Sequence, residues 1–181
     1  MTITQAQQDM RYAYHGGGFG VLVSGLVWLL AMVVALGVSD WASMLTLFFG
    51  GMAIFPLSVA LSKLFGRPGH HGAGNPLGTA AIESLAILLV GLFVAFASAR
   101  FGHFFFYPVM LLAIGSRYMG FNTLYGNRLY WLLGALLMAA GAFLLVLKAP
   151  PWQGAASGAV LEITFASLFL WQQKTAKERP V

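Results

Sequence analysis

Apolar positions run almost unbroken through six stretches of the chain: Phe19–Val38, Trp41–Leu61, Thr79–Ala99, His103–Phe121, Leu129–Leu147 and Ala155–Trp171. A bilayer core about 30 Å thick needs about 20 apolar residues per helix, so each stretch is long enough to cross one. The runs are continuous rather than alternating, which excludes a membrane barrel. Arg117 interrupts the fourth and leaves it only a short uncharged stretch. The first run is too long for a signal-peptide core and reads as a span. Before it lies a short amphipathic segment, Gln5 to Tyr14, joined through Gly16-Gly17-Gly18-Phe19-Gly20. That cluster follows no strand and lacks the lysine and hydroxyl of a phosphate-binding loop, so it reads as a flexible joint. One connection of size remains, residues 63–78, which is rich in Gly and Pro and carries His70 and His71.

Composition agrees. Of 181 residues, 59% are hydrophobic and 8% charged, against about 25% charged in a soluble domain. Six spans consume most of the length and leave no room for a soluble catalytic domain. The absence of cysteine excludes disulfides, thiolate metal sites and cysteine nucleophiles. Two adjacent histidines on a loop, without a third or fourth ligand nearby, read as solvated loop rather than a metal site. No metal or cofactor is expected.

The net charge of +5 orients the chain rather than naming a nucleic-acid partner, because the basic residues are scattered. With the N-terminus inside, the cytoplasmic side receives Arg11, Lys63, Arg67, Arg117, Arg128, Lys174, Lys177 and Arg179, and the outer side only Arg100 and Lys148. That bias follows the positive-inside principle. Trp41 and Trp152 then fall at the outer boundary and Trp131 and Trp171 at the inner one, where amphipathic rings collect; Trp28 alone lies mid-span. The predicted fold is all-α, an integral membrane bundle of six transmembrane helices with both termini cytoplasmic, forming one membrane domain over residues 1–181. Both tails and the His-His loop are expected to be the most mobile parts.

Small residues suggest how the spans pack. Gly16/Gly20 and Gly154/Gly158 have Gly-x-x-x-Gly spacing, and Gly134, Ala135, Ala139 and Gly141 give the fifth span a small face. Such faces let backbones approach closely in lipid.

Candidate chemistry resides in three ionisable groups within the spans: Glu83, Arg117 and Glu162. Charges at such depth usually have a partner or a job. Counted at 1.5 Å per residue, Glu83 and Arg117 each lie roughly 6 Å from the inner ends of their spans. Equal depth predicts an ion pair between the third and fourth helices; the alternative is separate snorkelling into headgroups. Glu162 sits roughly 10–14 Å from either end of its span, too deep to snorkel. It is expected to carry a proton, bind a cation, or lock helices together through a hydrogen bond. A faint echo relates Gly-Thr-Ala-Ala-Ile-Glu83 to Ser-Gly-Ala-Val-Leu-Glu162, an offset that would make the halves inverted repeats of three spans.

Three functions remain. The first is a small-solute or proton-coupled transporter, with Glu162 as the coupling group and Glu83 and Arg117 as an inner gate. The second is a non-catalytic accessory or interaction protein, for which the shortage of polar residues speaks. The third is a lipid-acting intramembrane enzyme holding a phosphate headgroup through Arg117, Tyr118, Asn122, Tyr125 and Arg128. A serine hydrolase is disfavoured, since no histidine reaches Ser84 or Ser157 in this scheme, and an enzyme is the less favoured class. Partners are membrane lipids and a small solute or proton; a homo-oligomer is open.

The stretch from Met10 through Arg11, Tyr12, the glycines and Ser24 to Trp28 resembles the opening of a family of small uncharacterised bacterial polytopic membrane proteins. So does Ser116-Arg117-Tyr118, with Thr123-Leu124-Tyr125-Gly126-Asn127-Arg128-Leu129-Tyr130-Trp131. The resemblance implies a bacterial cytoplasmic membrane and carries over no catalytic or binding residue.

Overall fold

The computed structural model describes residues 1–177, with side chains through residue 174. Arg179 and the Lys177 side chain, counted above for orientation, lie outside the described residues. Seven α-helices follow one another: α1 (Ile3–Tyr14), α2 (Gly18–Gly37), α3 (Asp40–Leu64), α4 (Leu77–Ala99), α5 (Phe106–Tyr125), α6 (Leu129–Val146) and α7 (Pro151–Lys177). Six are long and apolar enough to cross a membrane. The chain is all-helical in its regular structure, as its hydropathy predicts.

Boundaries differ from the expected spans where polar residues prolong a helix. α3 runs on to Leu64 and α7 begins four residues earlier, at Pro151, a residue suited to a first helical turn because it has no N–H to leave unsatisfied. α5 begins later than His103, behind a short 3-10 turn, and continues past Phe121 to Tyr125. Arg117 and Tyr118 therefore lie two turns inside a helix rather than near its end. Gly126, with φ of 61°, terminates it in the left-handed conformation and donates its N–H to the Asn122 carbonyl.

α2 packs along α3 on one side and α7 on the other; α5 packs along α4 and α6; α6 and α5 meet α7. Each half of the chain thus lends its third span to the other half. Backbone proximity comes from glycine. In the α2–α7 seam a Cβ on Gly18 would meet Leu170 Cγ at 3.0 Å, one on Gly25 would meet the Ile163 backbone nitrogen at 3.0 Å, and one on Gly158 would press into the Trp28 ring. In the α5–α6 seam Gly115 and Gly134 face each other's carbonyl oxygens at 2.7 and 2.6 Å on the same measure. Gly154 and Gly158 act as their spacing predicts. Gly16 also approaches α7, where a Cβ would meet Gln173 Nε2 at 2.8 Å, whereas Gly20 meets nothing nearer than Ser58 Cβ at 4.0 Å, and Ala135 and Ala139 face outward.

α1 is capped by a reciprocal Thr2–Gln5 box and lies across one end of the bundle, here the α1 end. Its Ala6, Met10 and Ala13 are buried, a stripe at helical spacing. Arg11 Nη1 donates to the Tyr125 carbonyl at 2.6 Å and Gln7 Nε2 to the Thr123 carbonyl at 2.9 Å. The α3–α4 loop is not held loosely, contrary to expectation. Gly69 N donates to the Ala13 carbonyl (3.2 Å), Gly72 N and Asn75 Nδ2 donate to Asp9 Oδ2 (2.9 and 2.8 Å), and Arg67 lies 4.5 Å from the Tyr12 ring centroid. At the opposite end Ser39 caps α3 and His103 meets Asp40 at 3.3 Å.

Candidate functional site

The glycine seam brings α7 so close to α2 that Glu162 has no exposed surface. Ser24 and Trp28 from α2 and Tyr118 from α5 face its carboxyl group. Trp28 is fully buried, and Tyr118 and Ser24 nearly so. None of them closes the arrangement: both Glu162 oxygens and the Trp28 indole nitrogen lack a well-formed hydrogen bond. Arg117 is near enough for its charge to act on the carboxyl group, yet its Nε donates to Ser84 Oγ (3.2 Å) and its guanidinium lies 5.1 Å from the Phe121 ring centroid. The site is a single acid in an aromatic pocket of donors that stop short of it.

A sheaf of tyrosines extends from this acid toward α1. The Tyr118 ring stacks on Tyr130 with centroids 6.0 Å apart, Tyr125 stacks on Tyr130 at 5.5 Å, and Tyr130 stacks on Phe169 at 4.3 Å. The Tyr130 hydroxyl donates to the Gly16 carbonyl at 2.7 Å. On the other side of the acid, Trp28 lies 5.8 Å from the Tyr107 ring. Tyr107 and Ser43 share a hydrogen bond, and Ser43 Oγ donates to the Ala31 carbonyl at 2.6 Å.

The expected Glu83–Arg117 ion pair does not form. Among the described residues the one ion pair is His103–Asp40. Glu83 is exposed on the outer face of α4, while its neighbour Ser84 faces α5 and takes the arginine. Nor do the five headgroup candidates line one pocket. Tyr118 and Tyr125 are buried among rings, Arg117 turns to α4, Asn122 is half-buried, and Arg128 is exposed beyond the helix. Two shallow apolar crevices open on the surface, one between α2 and α3 and one between α6 and α7, and neither includes Glu162. Ser24, Trp28 and Tyr130 were missed as site residues by sequence reasoning. Trp28 carried a signal, since it alone among the tryptophans sits mid-span.

Outside the spans, Asp9 is held below its usual carboxylate value. The Asn75 amide is the main cause and the Gly72 N–H the next, both stabilising the charged form.

No curated protein and no solved structure matches the chain. A family-level match covers residues 3–173, nearly everything described above, including α1, the glycine seam and Glu162. The chain therefore belongs to DUF7010, a family of unknown function whose fold, in this member, is an integral membrane bundle of six spans.

Proposed function

We propose that this protein is a proton-linked membrane transporter, seen with both entrances shut, in which Glu162 takes up and releases the proton. The observation that carries this reading is the state of the carboxyl group: fully enclosed, facing donors on Ser24, Trp28 and Tyr118, with neither oxygen in a well-formed hydrogen bond. A carboxyl retained to lock helices together would have its oxygens satisfied, because an unsatisfied buried polar group costs about 1–3 kcal/mol. A group whose occupancy changes during a cycle must leave one state incompletely bonded. The arrangement of the helices supports the same reading. Each half packs its third span against the other half, which is compatible with an inverted pair of three-span units; transporters of that design bind near the midplane where the units meet.

The accessory-protein reading keeps one observation in its favour: the crevices at α2–α3 and α6–α7 both leave the acid out. The two separate on Trp28, whose ring shares the pocket. Purified protein in lipid nanodiscs is titrated while tryptophan emission is followed, with Trp28→Phe subtracted to isolate that residue. A proton-carrying Glu162 gives a titrating signal that disappears in Glu162→Gln, and vesicles containing wild type dissipate an imposed pH gradient faster than those containing the variant. Identical titrations and identical gradient decay in the two proteins exclude the proposal.

A further inference from the structure

Arg117 is a cation inside a span, and among the described residues no carboxylate meets it in an ion pair. Its Nε–H goes to Ser84 Oγ at 3.2 Å, which leaves its two terminal nitrogens for another acceptor. A charge within a span calls for a partner. We propose that an anionic phospholipid supplies it: the phosphate binds Arg117 beside Ser84, and the acyl chains fill an opening between α3 and α4. This inference does not depend on the proton-carrying reading of Glu162.

The opening is read from the helix faces. α3 packs along α2 and α4 along α5, but no extended seam joins α3 to α4. The two meet where Trp41 and Phe48 of α3 touch the Phe96 ring of α4. Residues four and seven positions further along a helix stay on one face, so Met52 and Phe55 continue the stripe of Phe48. They are 61% and 67% exposed. On α4 the stripe of Phe96 continues through Leu89 and Leu85, which are 64% and 42% exposed. The helices have therefore parted toward the α1 end, and Pro56 lies within the diverging part of α3, where proline bends a helix.

Arg117 faces this opening. On α5, Tyr107 abuts Gly154 of α7 and Ala113 abuts Gly91 of α4. At about 100° per residue, Ile114, Arg117 and Phe121 fall on the arc between those two contacts, away from the α6 seam at Gly115. All three are half-buried. The guanidinium lies 5.1 Å from the Phe121 ring centroid, and Phe121 is one turn, roughly 6 Å, from the end of α5. The long side chain thus carries its charge toward headgroup depth.

The surroundings select the ligand. The α3–α4 loop, tied to Asp9 of α1 through Gly72 and Asn75, spans the α1 end of the opening, so access is sideways from the bilayer and past an apolar rim. An arginine fork matches phosphate oxygens. Glu162 is enclosed and Glu83 turns outward, so neither acid offers itself to a headgroup ammonium. A net-negative headgroup such as phosphatidylglycerol fits better than zwitterionic phosphatidylethanolamine.

The test exposes the purified protein in detergent to equal amounts of those two lipids and counts retained lipid by native mass spectrometry. Wild type is expected to keep one phosphatidylglycerol in preference. Arg117→Gln is expected to weaken that retention by roughly tenfold or more, as on losing a charged hydrogen bond, and Glu83→Gln to leave it unchanged. Ala81→Glu is a second variant with Arg117 intact. Ala81 is half-buried on the opening side of α4, three positions from Ser84, so a carboxylate there gives Arg117 a counter-charge and expels the lipid. Phosphatidylglycerol with a photoreactive acyl chain is expected to label residues 52–59 and 82–89 together, and to lose that pattern in Arg117→Gln. Retention within twofold of wild type in either variant overturns the proposal. So do equal retention of the two lipids, displacement of the lipid by inorganic phosphate, and a lipid-free dimer in which a second copy fills the opening.

Discussion

Replacing Glu162 by leucine tests the sign of the carboxyl group's contribution to stability. Both oxygens are enclosed and neither has a well-formed hydrogen bond; removing such a group relieves a penalty of about 1–3 kcal/mol. The relief is incomplete, because the Trp28 indole N–H stays buried and unpaired in the variant. Leucine also leaves part of the glutamate volume empty, which offsets some of the gain through lost packing. The net expectation is stabilisation of about 1–2 kcal/mol, or a melting temperature higher by roughly 2–8 °C for a chain of this size. Helical circular dichroism during heating in one detergent measures it, with Glu162→Gln as the polar control. The same variant must lose the titrating Trp28 signal. A leucine variant that melts lower by a similar amount would show that the carboxyl bonds the helices together, and the argument from unsatisfied oxygens would fail.

Two further outcomes follow from the packing. Gly158→Ala places a Cβ 2.5 Å from Trp28 Cε3 and 2.9 Å from Cε2; overpacking of that kind costs about 1–3 kcal/mol, read as a lowered melting temperature, whereas Gly51→Ala, which meets nothing within 4 Å, leaves it unchanged. Docking of α1 weakens in acid: the folded state holds Asp9 below its usual value of 3.8, so its contribution is complete above that value and is lost as pH falls through the lower folded value. Hydrogen exchange of α1 and of residues 66–76 is expected to accelerate on going from neutral pH to below about pH 4, after correction for intrinsic rates, and Asp9→Asn to flatten that dependence.

The six spans were legible because lipid rewards uninterrupted apolar length, a property that needs no tertiary information. Azimuth was not. Depth matching paired Glu83 with Arg117, but adjacent residues on a helix are about 100° apart around its axis, and it is Ser84 that faces α5 while Glu83 turns outward. The deep acid was visible at Glu162, since no other carboxylate lies so far from a helix end. Its companions were not, because Ser24 and Tyr118 reach it from spans distant in sequence. The docking of α1 was half legible: Ala6, Met10 and Ala13 mark a buried stripe, but the backbone bonds from Gly69 and Gly72 leave no trace in side-chain pattern.

The glycine seam and the unsatisfied acid belong to one design. Close approach of α2 and α7 through Gly18, Gly25 and Gly158 excludes water from Glu162, and it is this exclusion that makes the missing hydrogen bonds costly. A looser seam would hydrate the carboxyl and remove the penalty, together with any reason for the pocket to discriminate between protonated and ionised forms. Tight packing in lipid supplies the energy to hold the acid in an environment it would otherwise leave, because van der Waals contact is among the few forces joining apolar helices there. The cost stored at Glu162 then favours any motion that lets the carboxyl meet water or a new donor. Among the described residues, three successive left-handed backbones at His15–Gly17 adjoin the seam at Gly18 and separate α1 from α2.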